Sequence, residues 1–262
     1  MAGKTLGLAL GSGAAKGFAH VGVLKALDEY GVRPKVITGS SMGSLIGAFY
    51  VTGMQPRFME RLACSLSWRH WLDLTVPKIG LISGEKIHQM VALLTRRLQF
   101  HELPVKFGVV TTELTQRRAV LLTSGNIADA VRASISIPGV FVPYVTDQGV
   151  FVDGGVLERV PVQACRSLGA DIVIAVDVAA AQRATVPETI MDVIMQSIDL
   201  MQHQLVEPRI QGADVRIEPD VSDIGTSQFN RAQEAITAGY KAAIAVMDDI
   251  LAAAQQCESE PV

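Results

Sequence analysis

The amino-acid sequence predicts an α/β protein with a mostly parallel central sheet and helices on both faces. Short apolar, β-branched runs alternate along the chain with longer segments whose apolar residues recur every three to four positions. Of the 262 residues, 49% are hydrophobic, which is enough for a sizeable core. Glycine-rich junctions follow two of the apolar runs, as expected where a strand turns sharply into a helix.

The first half of the chain opens with an apolar run that ends in glycines, and this pattern predicts a strand, a glycine loop and a helix. Later strands are predicted where β-branched residues lack helical spacing, and helices where apolar side chains share one face. The predicted strands are 5–10, a run beginning at Val36, 105–113 and 119–123, and the predicted helices are 18–30, 43–53 and 83–98.

In the second half, a helix over 128–133 is expected to stop before Pro138, which disfavours helical backbone ahead of it. The other predicted elements are a strand that ends at Asp153, strands at 171–178 and 214–218, a helical pattern over 190–205 and a C-terminal helix at 231–254. No linker or repeat interrupts the pattern. A single domain over 1–262 is therefore predicted, with a core at about 5–220 and a frayed tail after 254.

Ser41 is the candidate nucleophile. It lies between Gly39 and Gly43, after a β-branched run and before an apolar, helix-like run. This is the context of a nucleophile elbow, in which a strand turns into a helix and presents one serine hydroxyl. Glycines are expected on both sides because neighbouring backbone comes too close for a Cβ. With 23 glycines in the chain, the pattern alone is weak, and the accompanying motifs strengthen it.

A second glycine motif occupies residues 11–17, between the first strand and the first helix, and reads Gly-Ser-Gly-Ala-Ala-Lys-Gly. Unpaired N–H groups at such a junction favour negative charge, which can be the oxyanion of a tetrahedral intermediate or a nucleotide phosphate. The nucleotide alternative fits poorly, because Gly17 falls one position too late for G-x-G-x-x-G. Besides an oxyanion hole and a nucleotide site, the third interpretation is that the glycines only allow the loop to pack tightly.

The candidate base is Asp153, which ends an apolar strand and is followed by Gly154 and Gly155. Asp-Gly-Gly is also a common turn sequence, so the motif has a purely structural alternative. Asp177, at the end of another apolar run, is a competing carboxylate. Strand-ending aspartates often cap the following segment, which makes Asp177 the weaker candidate.

These motifs, in this order, together with the run 132–141, resemble the patatin-like phospholipases over roughly residues 5–180. The resemblance is closest to a small bacterial branch similar to the catalytic domain of neuropathy target esterase. It implies a three-layer α/β/α sandwich and a Ser-Asp dyad without histidine, with Ser41 as nucleophile and Asp153 as base. It also implies an oxyanion hole around Gly13 and Ala14.

The resemblance extends to the residues that would support the dyad. The expected oxyanion loop includes Gly11, Gly13, Ala14 and Lys16, and the expected supporting glycines are Gly39, Gly43, Gly154 and Gly155. The loop departs from the family at three positions. Ser12 and Ala14 stand where many members carry glycine, and Lys16 where many carry arginine. An amide donor survives the change from glycine to alanine, so the hole is expected to be kept.

The positions of the five histidines show, independently of the family resemblance, whether a triad is a better interpretation than a dyad. A triad in the order Ser, acid, His would need a histidine after Asp153, and only His203 follows it, inside a helical pattern. His20 lies just behind the glycine loop, and both are interpreted as surface or packing histidines. Asp153 must then act alone as a base, which requires burial that raises its pKa from about 3.9.

The composition narrows the function. A net charge of −3 gives no reason to expect nucleic acid, and three widely spaced cysteines indicate neither a disulfide framework nor a zinc site. We therefore predict a cytoplasmic serine hydrolase of carboxylic esters, acting on acyl lipids or lysophospholipids, with no metal or organic cofactor. The alternative is a non-catalytic acyl- or anion-binding regulatory module on the same fold.

Residues 54–77 are the candidate site of membrane contact. Phe58, Leu62 and Leu66 recur every four residues, and both tryptophans, Trp68 and Trp71, follow them. Such a segment is either an ordinary core helix or a lid whose apolar face meets lipid. No apolar stretch reaches the roughly 18 residues of a spanning helix, so contact at the inner membrane surface would be peripheral.

Overall fold

The computed structural model describes residues 3–65, 73, 79–180, 186–187, 190–210 and 212–258. The strands are β1 (Leu6–Leu10), β2 (Val36–Ser40), β3 (Lys106–Glu113), β4 (Arg118–Leu122), β5 (Tyr144–Thr146), β6 (Gly149–Asp153), β7 (Ile172–Val176) and β8 (Val215–Ile217). The helices are α1 (Ala19–Glu29), α2 (Met42–Val51), α3 (Pro56–Ser65), α4 (Glu85–Leu94), α5 (Ile127–Ser134), α6 (Val162–Ser167), α7 (Ile190–Ile210), α8 (Ala232–Ala245) and α9 (Met247–Glu258).

One sheet contains all these strands and confirms the predicted α/β class. Its order is β5-β6-β3-β2-β1-β7-β8, with β4 paired to β3. The pairings from β3 through β2, β1 and β7 to β8 are parallel, whereas β4, β5 and β6 pair in antiparallel fashion. The antiparallel part therefore lies at one end of the sheet.

Strand β3 brings two other strands end to end. Its residues 109–113 pair with β4 along one edge, so β2 and β6 must share the other edge. Strand β2 runs parallel to β3 and ends at Ser40, opposite Val110. Strand β6 runs the opposite way and ends at Asp153, opposite Thr111, the very next residue. Their carboxyl ends consequently meet beside the middle of β3.

Side chains alternate between the two faces of the sheet and build two cores. Leu8 and Leu10 of β1 belong to the larger core, which includes residues of α1, α2, α5 and α8. Ala9 belongs to the smaller core on the other face, with Cys165 of α6 and Ile210 at the end of α7. Helices thus cover both faces, as the sequence predicts.

The C-terminal region differs from the prediction. A continuous helix over 231–254 is wrong, because Val246 leaves the helical conformation between α8 and α9. This break lets Ile250 enter the large core, while α9 contacts β1, β7 and β8. The frayed tail is also wrong up to Glu258, where α9 ends. The packing of α8 on α1 and of α9 on the sheet supports our proposal of one domain.

Other boundaries shift by a few residues. The predicted helix 83–98 is shorter, since Gly84 has a positive φ of 79° and the helix ends at Leu94. Strand β5 and helix α6, which are short, have no counterpart among the predictions. Among the described residues, none of the helices combines the length and apolarity that crossing a bilayer requires.

Candidate active site

Ser41 occupies a strained turn between β2 and α2. Its φ of 51° and ψ of −122° lie outside the regions that non-glycine residues favour, as at other functional sites. The turn packs closely against neighbouring backbone. A Cβ on Gly43 would lie 2.2 Å from the Leu10 carbonyl oxygen, and one on Gly39 would lie 2.5 Å from the Gly43 carbonyl oxygen. Only glycine fits at these two positions.

Asp153 contacts Ser41 directly. The Ser41 hydroxyl donates to Asp153 Oδ2 at 2.6 Å, although the two residues are 112 positions apart. The other carboxylate oxygen, Oδ1, accepts the Gly155 N–H at 2.8 Å. Both side chains are almost covered, with Ser41 only 5% and Asp153 only 6% exposed. Gly154 and Gly155 form the short 3₁₀ turn that follows the carboxylate.

Burial raises the pKa of Asp153 to about 7. Loss of hydration is the largest cause, since it penalises the charged carboxylate. The hydrogen bonds from Ser41 and the Gly155 N–H act in the opposite direction, and the charge of Asp199 adds a smaller upward contribution. A carboxylate with this pKa is a far better proton acceptor at neutral pH than an ordinary aspartate.

The glycine loop presents two unpaired amides to the same cleft. The N–H groups of Gly11 and Lys16 already donate to Val176 and Gly13 carbonyl oxygens, at 3.0 Å each. The N–H groups of Gly13 and Ala14 have no hydrogen-bond partner among the described residues, and both residues line the cleft with Ser41. Of the predicted oxyanion loop, Gly13 and Ala14 are therefore the residues with free donors.

The cleft over Ser41 is almost closed. Its volume is about 20 Å³, room for about one water molecule. Ile198, Asp199 and Gln202 of α7 line it, as do Ile137 and Pro138. An acyl ester needs far more space than this. The sequence pattern predicts a helix here but not its position over the nucleophile.

The competing carboxylate is engaged elsewhere. Asp177 Oδ2 accepts a hydrogen bond from Arg159 Nη2 at 2.6 Å, and both side chains are buried. Asp177 Oδ1 caps the next segment by accepting the Ala179 N–H at 3.0 Å. Burial lowers the pKa of Lys16 and raises that of Asp199, and the charge of each residue partly offsets the shift of the other. Within the described part of the chain, no group of His, Cys, Asp and Glu is arranged to hold a metal ion.

His20 supports the glycine loop through a contact with the backbone of Gly11. Its Nε2 lies 2.7 Å from the Gly11 carbonyl oxygen, and because a carbonyl only accepts, Nε2 must carry the proton. Burial lowers the pKa of His20 to about 4, and Nδ1 has no partner among the described residues. His20 is thus a neutral packing histidine. His70 and the side chain of His203 lie outside the described residues.

The segment 54–77 is described only up to 65 and at 73, so Leu66, Trp68 and Trp71 lie outside. Helix α3 buries Met59, whereas Phe58 is 47% exposed. The core-helix alternative is therefore wrong at Phe58, because Met59 and not Phe58 lies in the core that α3 shares with α1 and α8. None of the described residues of 54–77 lines the cleft over Ser41.

Comparison with known proteins identifies relatives of this chain. The patatin-like phospholipase family model matches residues 8–166. Lysophospholipase NTE1 of Coccidioides immitis is 35% identical over 188 residues, which cover 69% of this chain and 12% of that protein. An uncharacterized NTE family protein of Mycobacterium tuberculosis is 38% identical over 172 residues, covering 64% of this chain and 48% of that protein. The chain thus spans less than half the length of either relative.

Solved structures share the fold. VipD from Legionella pneumophila superposes with a TM-score of 0.68 at 14% sequence identity, covering 95% of this chain and 67% of that chain. The type III effector protein ExoU gives a TM-score of 0.51 at 13% identity, covering 98% of this chain and 54% of that chain. At such low identity the likeness is one of fold, and it agrees with the predicted three-layer architecture.

Proposed function

The chain belongs to the patatin-like phospholipase family, and we propose that it is a serine hydrolase of carboxylic esters in acyl lipids, lysophospholipids among them. The hydrogen bond of 2.6 Å between Ser41 and Asp153 is the observation that carries the proposal. It pairs a nucleophile with a base in one cleft. The curated relative named a lysophospholipase supports a lipid substrate.

In the proposed mechanism, Ser41 Oγ bonds to the ester carbonyl carbon while Asp153 Oδ2 takes the hydroxyl proton. The carbonyl oxygen becomes an oxyanion, to which the N–H groups of Gly13 and Ala14 donate. The intermediate then collapses, the bond to the alcohol breaks, and Asp153 returns the proton to the leaving alcohol. Water attacks the acyl-enzyme in the same way, which releases the fatty acid and restores the Ser41 hydroxyl.

Two features support an aspartate as the only base. Its carboxylate reaches the serine hydroxyl without an intervening histidine. Its pKa of about 7 is close to the working pH, where general-base catalysis is most efficient. His20, with a pKa of about 4 and its proton committed to the Gly11 carbonyl, is unsuited to that role.

The test is hydrolysis of palmitoyl lysophosphatidylcholine micelles between pH 5 and pH 9, with free fatty acid measured by mass spectrometry. We expect the rate to rise with pH and to level off above about 7, because the ionised Asp153 is the active form. Below that pKa the active fraction, and with it the rate, should fall about tenfold for each pH unit.

The alternative function predicts a different outcome. A regulatory module that only binds acyl chains or anions would retain the lipid on gel filtration and release no fatty acid at any pH. Such a module has no need for the contact between Ser41 and Asp153. A Ser41→Ala protein measured in parallel distinguishes enzymatic from spontaneous hydrolysis, and equal rates for the two proteins would contradict the proposed function.

Peripheral contact of 54–77 with the inner membrane surface stays a prediction, and Phe58 supports it. Its exposed ring lies beneath the guanidinium groups of Arg57 and Arg61, at 5.3 and 5.9 Å from the ring centroid. An exposed aromatic ring beside cations suits an anionic lipid interface. Phe58→Ser should reduce co-sedimentation with phosphatidylglycerol vesicles, whereas Leu93→Ser, at another exposed apolar position, should not. Equal effects would contradict the prediction.

A further inference from the structure

The elbow leaves the sheet at a junction where two strands end. Strand β2 stops at Ser40 and β6 stops at Asp153, opposite the adjacent β3 residues Val110 and Thr111. Because the chain turns away at Ser41, its N–H has no strand to donate to. A buried amide without a partner is costly, so another group must accept this hydrogen bond.

The side chain of Ser134 supplies that group. Its Oγ accepts the Ser41 N–H at 2.9 Å and donates to the Val110 carbonyl oxygen at 2.6 Å. Ser134 is fully buried at the end of α5, and it does not line the cleft. One hydroxyl thus connects the backbone of the nucleophile to the middle of β3.

The same short segment also holds the base. The Asp153 N–H donates to the Ser136 carbonyl oxygen at 2.9 Å. The segment is itself fixed by Arg132, whose guanidinium donates to Ser136 Oγ at 2.5 Å and to the Val142 carbonyl oxygen at 2.8 Å. Residues 134–136 therefore contact the backbones of both Ser41 and Asp153.

We propose that Ser134 is a positioning residue, which holds the strained backbone of Ser41 so that its hydroxyl points at Asp153 and at the ester carbon. The proposal rests on the hydrolase function proposed above. A misplacement of about 1 Å between reacting groups costs about a hundredfold in rate. The Ser41 hydroxyl must therefore be held more closely than that. The strain at Ser41 makes it sensitive to the loss of a backbone hydrogen bond.

The test compares Ser134→Ala with Thr95→Val in the full chain. Both variants remove one fully buried hydroxyl, and that of Thr95 lies at the end of α4, where it donates to the Val91 carbonyl oxygen at 2.7 Å. Only the first removes a contact to Ser41, because the Thr95 hydroxyl donates within its own helix and to neither Ser41 nor Asp153. We expect Ser134→Ala to lower kcat on a p-nitrophenyl ester by about ten- to a hundredfold, with KM changed less than about threefold since Ser134 does not touch the substrate cleft. Thr95→Val should keep kcat within about threefold.

Two further readouts distinguish positioning from simple destabilisation. The hydrogen bond from Ser41 holds the pKa of Asp153 down, so a loosened Ser41 should move the acidic limb of the pH profile to higher pH. Ser134→Thr keeps the hydroxyl while adding a buried methyl group, so its kcat should stay near wild type even where its Tm falls. If Ser134→Ala does not fold, Ser134→Cys, with a weaker acceptor, replaces it.

Unchanged kcat in the Ser134→Ala variant, or equal losses in Ser134→Ala and Thr95→Val, would overturn the proposal. So would a Ser134→Thr protein that folds but is as slow as Ser134→Ala. These results presuppose an active wild type. A wild type that hydrolyses no ester and takes up no fluorophosphonate would instead refute the hydrolase function itself.

Discussion

Replacing Ser41 by alanine is expected to lower ester hydrolysis by about four to six orders of magnitude, as loss of a serine nucleophile does in other hydrolases. The hydroxyl that bonds to the ester carbon is gone, and no other described hydroxyl contacts Asp153. The fold should persist, because alanine keeps the volume of the turn and the Ser41 N–H keeps its partner Ser134. Initial rates on p-nitrophenyl butyrate and circular dichroism measure the two effects.

Peptide mapping gives the matched control. A fluorophosphonate probe should label wild type at residue 41 and should not label Ser41→Ala. Ser44→Ala removes a neighbouring buried hydroxyl, which donates to the Ser41 carbonyl oxygen at 2.6 Å, and should still be labelled. Covalent adducts at Ser40 or Ser44 in the wild type would contradict the assignment of the elbow.

Local patterns account for the parts of the fold that the sequence predicts. The β-branched run before Ser41 and the apolar run after it predict β2 and α2, and the structure confirms both within one or two residues. The glycines on both sides of Ser41 are predicted equally well, since backbone atoms lie so close to Gly39 and Gly43 that a Cβ would not fit. Such signals depend on a few consecutive residues, and a single sequence contains them.

The meeting of Ser41 with Asp153 depends on something that no local pattern contains. It requires β2 and β6 to share one edge of β3 while β4 takes the other. The sequence predicts these strands but not which edge each one occupies. It also predicts a mostly parallel sheet, whereas β6 runs antiparallel to β3. From the sequence, the pairing of Ser41 with Asp153 is predicted by the family resemblance and not by periodicity.

Packing explains the features that the sequence analysis missed. Helix α7 shows a clear apolar period, but that period cannot say that Ile198 and Asp199 face Ser41. Ser134 looks like an ordinary small residue at a helix end, although it lies in the run that carries part of the family resemblance. Its role emerges only once Ser41 N–H and the Val110 carbonyl are placed on either side of its hydroxyl.

Asp153→Asn is expected to reduce turnover by about ten-thousandfold or more, the scale of losing an acid–base residue in a serine hydrolase. The amide cannot accept a proton at neutral pH, while its size leaves the cleft intact. The acidic limb of the pH profile, which reports the Asp153 pKa of about 7, should vanish from any residual activity. Stopped fatty-acid release assays between pH 5 and pH 9 measure both effects.

Unlike turnover, the stability of Asp153→Asn should exceed that of the wild type as pH rises. Folding raises the pKa of Asp153 to about 7 from about 3.9 in the unfolded chain. Between these values the folded protein binds more protons than the unfolded one, so the wild type loses stability as pH rises through this window. Asp153→Asn has no such group. Its Tm relative to wild type should therefore be higher at pH 8 than at pH 5, which calorimetry can measure.

His20→Gln is the control for a hidden triad, because glutamine keeps an N–H donor for the Gly11 carbonyl oxygen that His20 contacts. We expect a loss of at most about tenfold, since only the support of the glycine loop is disturbed. The acidic limb should stay in place, because the His20 pKa of about 4 lies below the measured range. A folded His20→Gln protein as inactive as Asp153→Asn would show that histidine takes part in proton transfer, and the dyad would be refuted.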